Sequence, residues 1–465
     1  MNRNCNVIQN TCKTDLFSHV LSPQERKCIL LTLTTRGGPE PMPMTIFEAM
    51  SGNISSFLGG AEVALSPASE RPRREGHAIS LPVVMDGREF IFSATRKSIP
   101  FTRLEESFCG ELLTAFSMLF SGFRQEGYAA QFRTALLSSI MDITVARSLR
   151  GDHRKGFWPI QQLIQLLKSL SYQKYEGKPA TTGIIIHRTT PAELRSVMKQ
   201  RKHTLVPLKS SQSIAPGFFD NPLTYRFIDG TNLFFLAGIQ MQVNGIVTIS
   251  GTALMNEVER QTQRELFSII RRIGTGAFAV TVNEATDIEV LTSPARIMVR
   301  RKGMWSIFDP DIFRAFLAGS MEPEPAEDLI WTLYALSKMR YGTVVMIYGG
   351  SRHKLAELKK GAVGGADPIG RLLIDRVKQR SVSELKQSGT LLRILSSDGL
   401  TVFNAKGKLL DTGFIIDTSH AREMVTGGGR TTAACAASHF GKVIKVSQDG
   451  PIDLYENGTL IYRFG

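Results

Sequence analysis

Cysteine is scarce and scattered in this chain. Five occur among 465 residues, Cys5, Cys12, Cys28, Cys109 and Cys435, and no two form a C-x-x-C pair. An odd, dispersed set argues against a disulfide framework and against a structural zinc site. No apolar run approaches the roughly 20 residues that cross a bilayer. The opening MNRNCNVIQNTCKTD has no apolar stretch of the kind a secretory signal needs. A cytoplasmic protein without a membrane span is the resulting expectation. The phosphate-loop pattern G-x-x-x-x-G-K-[ST], the elbow G-x-S-x-G and the zinc motif H-E-x-x-H are missing too. Their absence removes three common sources of hydrolytic chemistry. Long Lys/Arg blocks are also absent. RPRR, Arg71 to Arg74, is a short cluster in a Ser/Pro/Glu-rich stretch, so a dedicated nucleic-acid site is not expected.

What is present is length, apolar content and positive charge. With 42% hydrophobic residues over 465 positions, two or three domains can each bury a core. A net charge of +14 points to an anionic partner. Residues 1 to about 75 are rich in Ser, Pro, Gly and Met with weak periodicity. HAISLPVVM and REFIFSATR, joined by Asp86-Gly87, predict a hairpin. Apolar residues then recur at helical spacing through Leu112, Leu113, Phe116, Leu119 and Phe120, and again through Phe132, Leu136, Leu137 and Ile140.

The remaining two thirds repeat themselves. LIQLLKSLSYQKYEGKPATTGIIIH, Leu163 to His187, has the layout of LIWTLYALSKMRYGTVVMIY, Leu329 to Tyr348: an amphipathic helix, a basic/Tyr turn, a glycine and an aliphatic strand. Arg226 to Ser250 resembles Arg393 to Asp417, and Gly276 to Leu291 resembles Gly441 to Gly458. Three matches in order, at a spacing far longer than solenoid repeats, indicate two copies of one unit. GSMEPEPAED, Gly319 to Asp328, reads as a linker or the start of a helix.

In the second copy the polar residues fall where strands are expected to end, the usual ligand position in open α/β sheets. RILSSDGL places Asp398 and Gly399 after an apolar segment and before a hairpin. VTGGGRTTAACAAS follows, and its alanines predict a helix with Gly427, Gly428, Gly429 and Arg430 at its N-terminus. Bare N–H groups there suit a phosphate. Arg430 adds a planar fork, and Thr431 and Thr432 add hydroxyls. KVSQDG brings Ser447 and Asp449 to the end of another strand. Carboxylates for Mg²⁺ or Mn²⁺ beside a triphosphate cradle suit phosphoryl or nucleotidyl transfer.

These segments, in this order, resemble the diadenylate cyclase domain. LSKMRYGTVVMI echoes that family's helix and G-a-l-i-v-i strand. Asp398-Gly399-Leu400 echoes its Asp-Gly-Ala motif, GGRTTAA its Gly-Thr-Arg-His-Arg-Ala-Ala motif, and SQDGPIDLYENGTL its Ser-Glu-Glu-Thr-Gly motif. The departures are Leu400 for alanine, Thr431 and Thr432 for histidine and arginine, and Gln448-Asp449 for two glutamates. The resemblance implies an α/β chain with three parts. They are an N-terminal α+β region (1–155) with a possible sensory role, a degenerate cyclase-like α/β domain (156–318), and a C-terminal mixed-sheet cyclase-like domain (325–465). The first copy keeps Asp229-Gly230 and Glu284 but has no Gly-Arg stretch between them. The implied activity joins two ATP into cyclic di-AMP, or a related cyclic nucleotide, with release of pyrophosphate. Asp398 and Asp449 would be catalytic and metal-holding, and Gly399, Leu400, Gly427 to Thr432 and Ser447 would bind nucleotide. A homo-oligomer is expected, because symmetric joining needs two sites face to face. The alternative is an inactive cyclase-like sensor that binds ATP or a cyclic dinucleotide.

Overall fold

A computed structural model describes residues 43–68, 76–85, 87–125, 139–150, 156–200, 203–251, 255–362, 367–418 and 428–465. The expectations for residues 1–42, the RPRR cluster, Asp86, Phe132, Leu136, Leu137 and Gly427 fall outside these ranges. The chain is mixed α/β, with two large mixed sheets and helices between and around them.

The N-terminal unit runs α1 (Pro43–Phe57), β1 (Glu62–Pro67), β2 (His77–Met85), β3 (Arg88–Arg96), α2 (Arg103–Gln125) and α3 (Ile140–Arg150). β2 and β3 pair antiparallel from His77↔Arg96 to Met85↔Arg88, the expected hairpin. Its apolar face packs on Phe108, Leu112 and Phe116 of α2 within one buried cluster.

Next come α4 (Trp158–Ser171), β4 (Thr182–His187), β5 (Thr204–Ser213), β6 (Leu233–Gly238), β7 (Gln242–Thr248), α5 (Arg264–Ile273), β8 (Phe278–Val282), β9 (Ile288–Thr292), β10 (Arg296–Arg301), β11 (Met304–Phe308) and α6 (Pro310–Leu317). The second series is α7 (Pro323–Met339), β12 (Thr343–Tyr348), β13 (Lys359–Ala362), α8 (Thr390–Ser396), β14 (Leu400–Phe403), β15 (Leu409–Ile416), α9 (Gly429–Ala437), β16 (Gly441–Val446), β17 (Ile452–Glu456) and β18 (Thr459–Phe464). Pro323 and Pro325 start α7, so the acidic GSMEPEPAED segment is the beginning of a helix.

The two sheets have the same order. The first reads β10-β9-β8-β4-β6-β7-β5, with β11 added beyond β10, and the second reads β18-β17-β16-β12-β14-β15-β13. In each, the two central strands are parallel, Ile184↔Phe235 and Val344↔Leu400, and the named outer pairs are antiparallel. The repeat seen in the sequence is thus a repeat of topology.

Alternation along the central strands sets the layers. Ile184 and Ile186 face the N-terminal unit and α4, whereas Ile185 faces α5. Val345 and Ile347 of β12 join that same middle core, with Leu329 and Leu333 of α7 and Ile269 and Ile270 of α5. Val344 and Met346 face the other way, toward Ala434 and Ala437 of α9. Each copy therefore carries one helix before its first strand and another on the opposite face. The first copy's α5 face is covered by the second copy's α7. Burial of each such aliphatic side chain stabilises by about 1.5–3 kcal/mol, so the middle layer binds the copies into one body.

Candidate functional site

The second copy gathers its polar residues at one end of the sheet. β12 begins at Thr343, β14 at Leu400, and the antiparallel β16 ends at Val446, directly opposite Thr343. Gly342, Asp398 and Ser447-Gln448-Asp449 consequently share that end. This corrects one expectation. The apolar segment before Asp398 is the helix α8 and not a strand, so the residues lie at the amino ends of the parallel strands β12 and β14.

Helix α9 starts where its sequence says it must. The alanines favour helix, Gly428 is the N-cap, and no side chain caps the first turn. Gly428 and Gly429 are exposed, and Arg430, Thr431 and Thr432 are half-buried. Thr431 N–H donates to the Gly428 carbonyl at 2.8 Å, closing the turn. The N-terminus of α9 thus presents its positive end and free amides beside the strand ends.

Arg430 joins this turn to Asp398. Its Nη2 lies 3.2 Å from Asp398 Oδ1, with the carboxylate 68% exposed and the guanidinium 34%. The same guanidinium lies over Gly342. A Cβ there would stand 2.9 Å from Nη1 and 3.0 Å from Gln448 Cγ, so the glycine lets both side chains lie close over the backbone. Arg430, Asp398, Gly342 and Gln448 therefore form one contiguous group.

Asp449 is held elsewhere. Its carboxylate accepts from Lys302 Nζ at 3.0 Å, across the turn between β10 and β11 of the first copy, and its carbonyl accepts from Arg340. Burial pushes the Asp449 carboxyl up, but the Lys302 ammonium outweighs it and holds the group below the ordinary carboxylate range. No contact among the described residues joins the Asp398 and Asp449 carboxylates. Leu400 is buried at the start of β14, in the core with Val344, Phe414 and Ala434. Ser447 anchors the turn through its backbone, its N–H donating to the Pro451 carbonyl and its carbonyl accepting from Gly450.

The donor chemistry suits a hard divalent cation at Asp398. Mg²⁺ and Mn²⁺ take one or two carboxylates and fill the remainder from phosphate oxygens and water. Asp398 offers one exposed carboxylate beside the glycine turn that starts α9, which fits. The Asp449 carboxylate is paired to Lys302.

The first copy has the same junction in closed form. Asp229 Oδ1 accepts from the backbone N–H groups of Thr231, Asn232 and Leu233 at 2.7–3.0 Å, and Oδ2 accepts from Asn232 Nδ2. Gln263, at the start of α5, donates to the Gly230 carbonyl at 3.0 Å. Glu284 is exposed. Every acceptor of Asp229 is used by its own loop, whereas Asp398 faces solvent and one arginine.

Sequence reasoning missed Gly342, Lys302 and Arg340. For Gly342 the signal was the glycine that precedes the aliphatic run in both copies. A scan of protein-family models finds none that matches this chain, and a search of curated proteins finds no match. Among the described residues, no helix is long and apolar enough to cross a membrane.

Proposed function

We propose that the C-terminal sheet carries a nucleotidyltransferase site of the diadenylate cyclase kind, joining two ATP molecules into a cyclic dinucleotide with release of pyrophosphate. The observation that supports it is the Arg430–Asp398 ion pair at the uncapped start of α9. A cation and an anion neutralise each other on an exposed rim. Metal-bound triphosphate brings both opposite charges, and the pair can open to meet them.

In this reading the amides of Gly428 and Gly429 and the Arg430 fork bind the triphosphate. Thr431 and Thr432 add hydroxyl donors, weaker than the charged groups they stand in for. Asp398 would hold Mg²⁺ or Mn²⁺, which when bound neutralises phosphate charge and lowers the pKa of a nearby hydroxyl. The 3′-oxygen of one nucleotide attacks the α-phosphorus of the other, its proton passes to solvent, and the bond to pyrophosphate breaks. The same exchange in reverse sense closes the ring, so two ATP give one cyclic dinucleotide and two pyrophosphates. Arg430 orients the leaving phosphates in line.

A second reading, a nucleotide-binding sensor without turnover, is favoured by one observation. Asp449 is paired with Lys302 and Asp398 with Arg430, so both candidate carboxylates already have a cationic partner. Incubation with ATP and either metal, with products read by mass spectrometry, separates the two. Calorimetric binding of ATP or cyclic di-AMP without any product supports the sensor.

A further inference from the structure

The turn that carries Gln448 and Asp449 is built on the first copy. Asp287, 3% exposed as a side chain, closes the β8–β9 turn, the topological counterpart of the β16–β17 turn. Its carboxylate accepts from Arg301 Nε at 3.1 Å and from Arg340 Nη2 at 2.8 and 2.9 Å. Two guanidinium groups are thereby held side by side by one buried carboxylate. The second copy's turn lies on them. Arg340 donates to the Asp449 carbonyl, Ser337 Oγ donates to the Gly450 carbonyl, and Arg301 donates to Ser337 Oγ at 3.3 Å. Gly450 has φ +106°, and a Cβ there would lie 1.9 Å from Arg340 Nη1 and 2.4 Å from Arg301 Nη1. Only a bare backbone passes over that pair.

The connection continues into the site. Arg340 is the left-handed C-cap of α7, φ 63°, two positions before Gly342, the floor beneath the Arg430 guanidinium and Gln448. Lys302, next to Arg301, takes the Asp449 carboxylate at the outer edge. We infer that the first copy is the positioning partner of the second copy's nucleotide site, with Asp287 holding Arg340 and so fixing the Ser447–Gly450 turn beside Arg430. The inference rests on the nucleotide reading for its consequence, though not for the positioning itself. It assigns a role to a copy that lacks the glycine–arginine turn: its own junction is closed by Gln263 and Asp229, while its β8–β9 turn became a support.

Hydrogen–deuterium exchange of the full chain tests this without any nucleotide. The Ser447 and Gly450 amides are bonded within the turn, so their exchange reports its opening. Asp287→Asn keeps the shape and removes the charge that pairs two arginines. It should speed exchange at 447–450 about tenfold and leave the α9 amides unchanged. Lys302→Ala, at a side chain 66% exposed, cannot disturb a core, and should speed the same amides about two- to threefold. In ATP titrations Asp287→Asn should raise the dissociation constant about tenfold. Unchanged exchange in both variants overturns the inference. Faster exchange with unaltered ATP affinity also overturns it, leaving a structural contact only. Should wild type bind no ATP at all while exchange responds as described, the positioning stands and the nucleotide reading falls.

Discussion

Gln263 donates to the carbonyl of Gly230 at the same topological junction where, in the second copy, Arg430 reaches Asp398. One junction is a neutral amide donating to a backbone oxygen in a buried joint. The other is an exposed pair of opposite charges. The two copies share the strand order, and the difference in residue type is what separates a closed joint from a candidate site.

The two aspartates of the Asp-Gly motifs should therefore behave oppositely. Asp229→Ala removes the acceptor for three backbone amides and should cost about 1–3 kcal/mol of stability. Asp398→Asn loses one exposed ion pair, worth about 0–1 kcal/mol, and should leave the melting temperature nearly unchanged while abolishing turnover. Thermal denaturation of both variants decides; equal destabilisation would remove the distinction.

Arg430→Ala should weaken ATP binding about tenfold, because a charge-assisted contact is lost. Thr431→Ala should change it by no more than about threefold, a neutral hydroxyl contact. Calorimetry measures both. Equal effects would mean that the glycine amides bind phosphate unaided.

How much of this was legible varied with the reach of the contact. The duplication could be read because helix, glycine and aliphatic strand recur in order in both copies. The α9 start could be read because glycines followed by alanines specify it locally. The segment before Asp398 was misjudged because RILSS is equally apolar as helix or strand, and its packing against the middle core chose helix. The pairing of Asp449 with Lys302 and of Arg340 with Asp287 joins residues 147 and 53 positions apart. No local pattern encodes such distant partners; only the stacking of the two sheets creates them.

Acid should loosen the N-terminal unit at a defined place. Asp142 of α3 accepts from Trp305 Nε1 at 2.7 Å and from Lys168 Nζ at 2.9 Å. Burial pushes its carboxyl up, but Lys168 and Arg300 outweigh this and hold it below the ordinary carboxylate range. A lowered folded-state pKa contributes stability that is present above the ordinary value and lost as pH falls through the folded one. Stability should thus drop below about pH 4, and the buried Trp305 should report it by fluorescence. Asp142→Asn should flatten that part of the profile; an unchanged profile would contradict the assignment.

Turnover should also depend on assembly. Among the described residues one chain holds one open junction, and joining two nucleotides symmetrically needs two. Specific activity should rise with protein concentration, and the sedimentation profile should shift with it. Strict proportionality to enzyme concentration in a monomeric species would contradict the pairing.

The most direct measurement is product analysis by mass spectrometry after incubation of the full chain with ATP and Mn²⁺ or Mg²⁺, beside Asp398→Asn under the same conditions. Wild type should yield a cyclic dinucleotide, most directly cyclic di-AMP, with pyrophosphate, and the variant neither. ATP recovered intact from wild type with both metals, at concentrations where the protein self-associates, would contradict it.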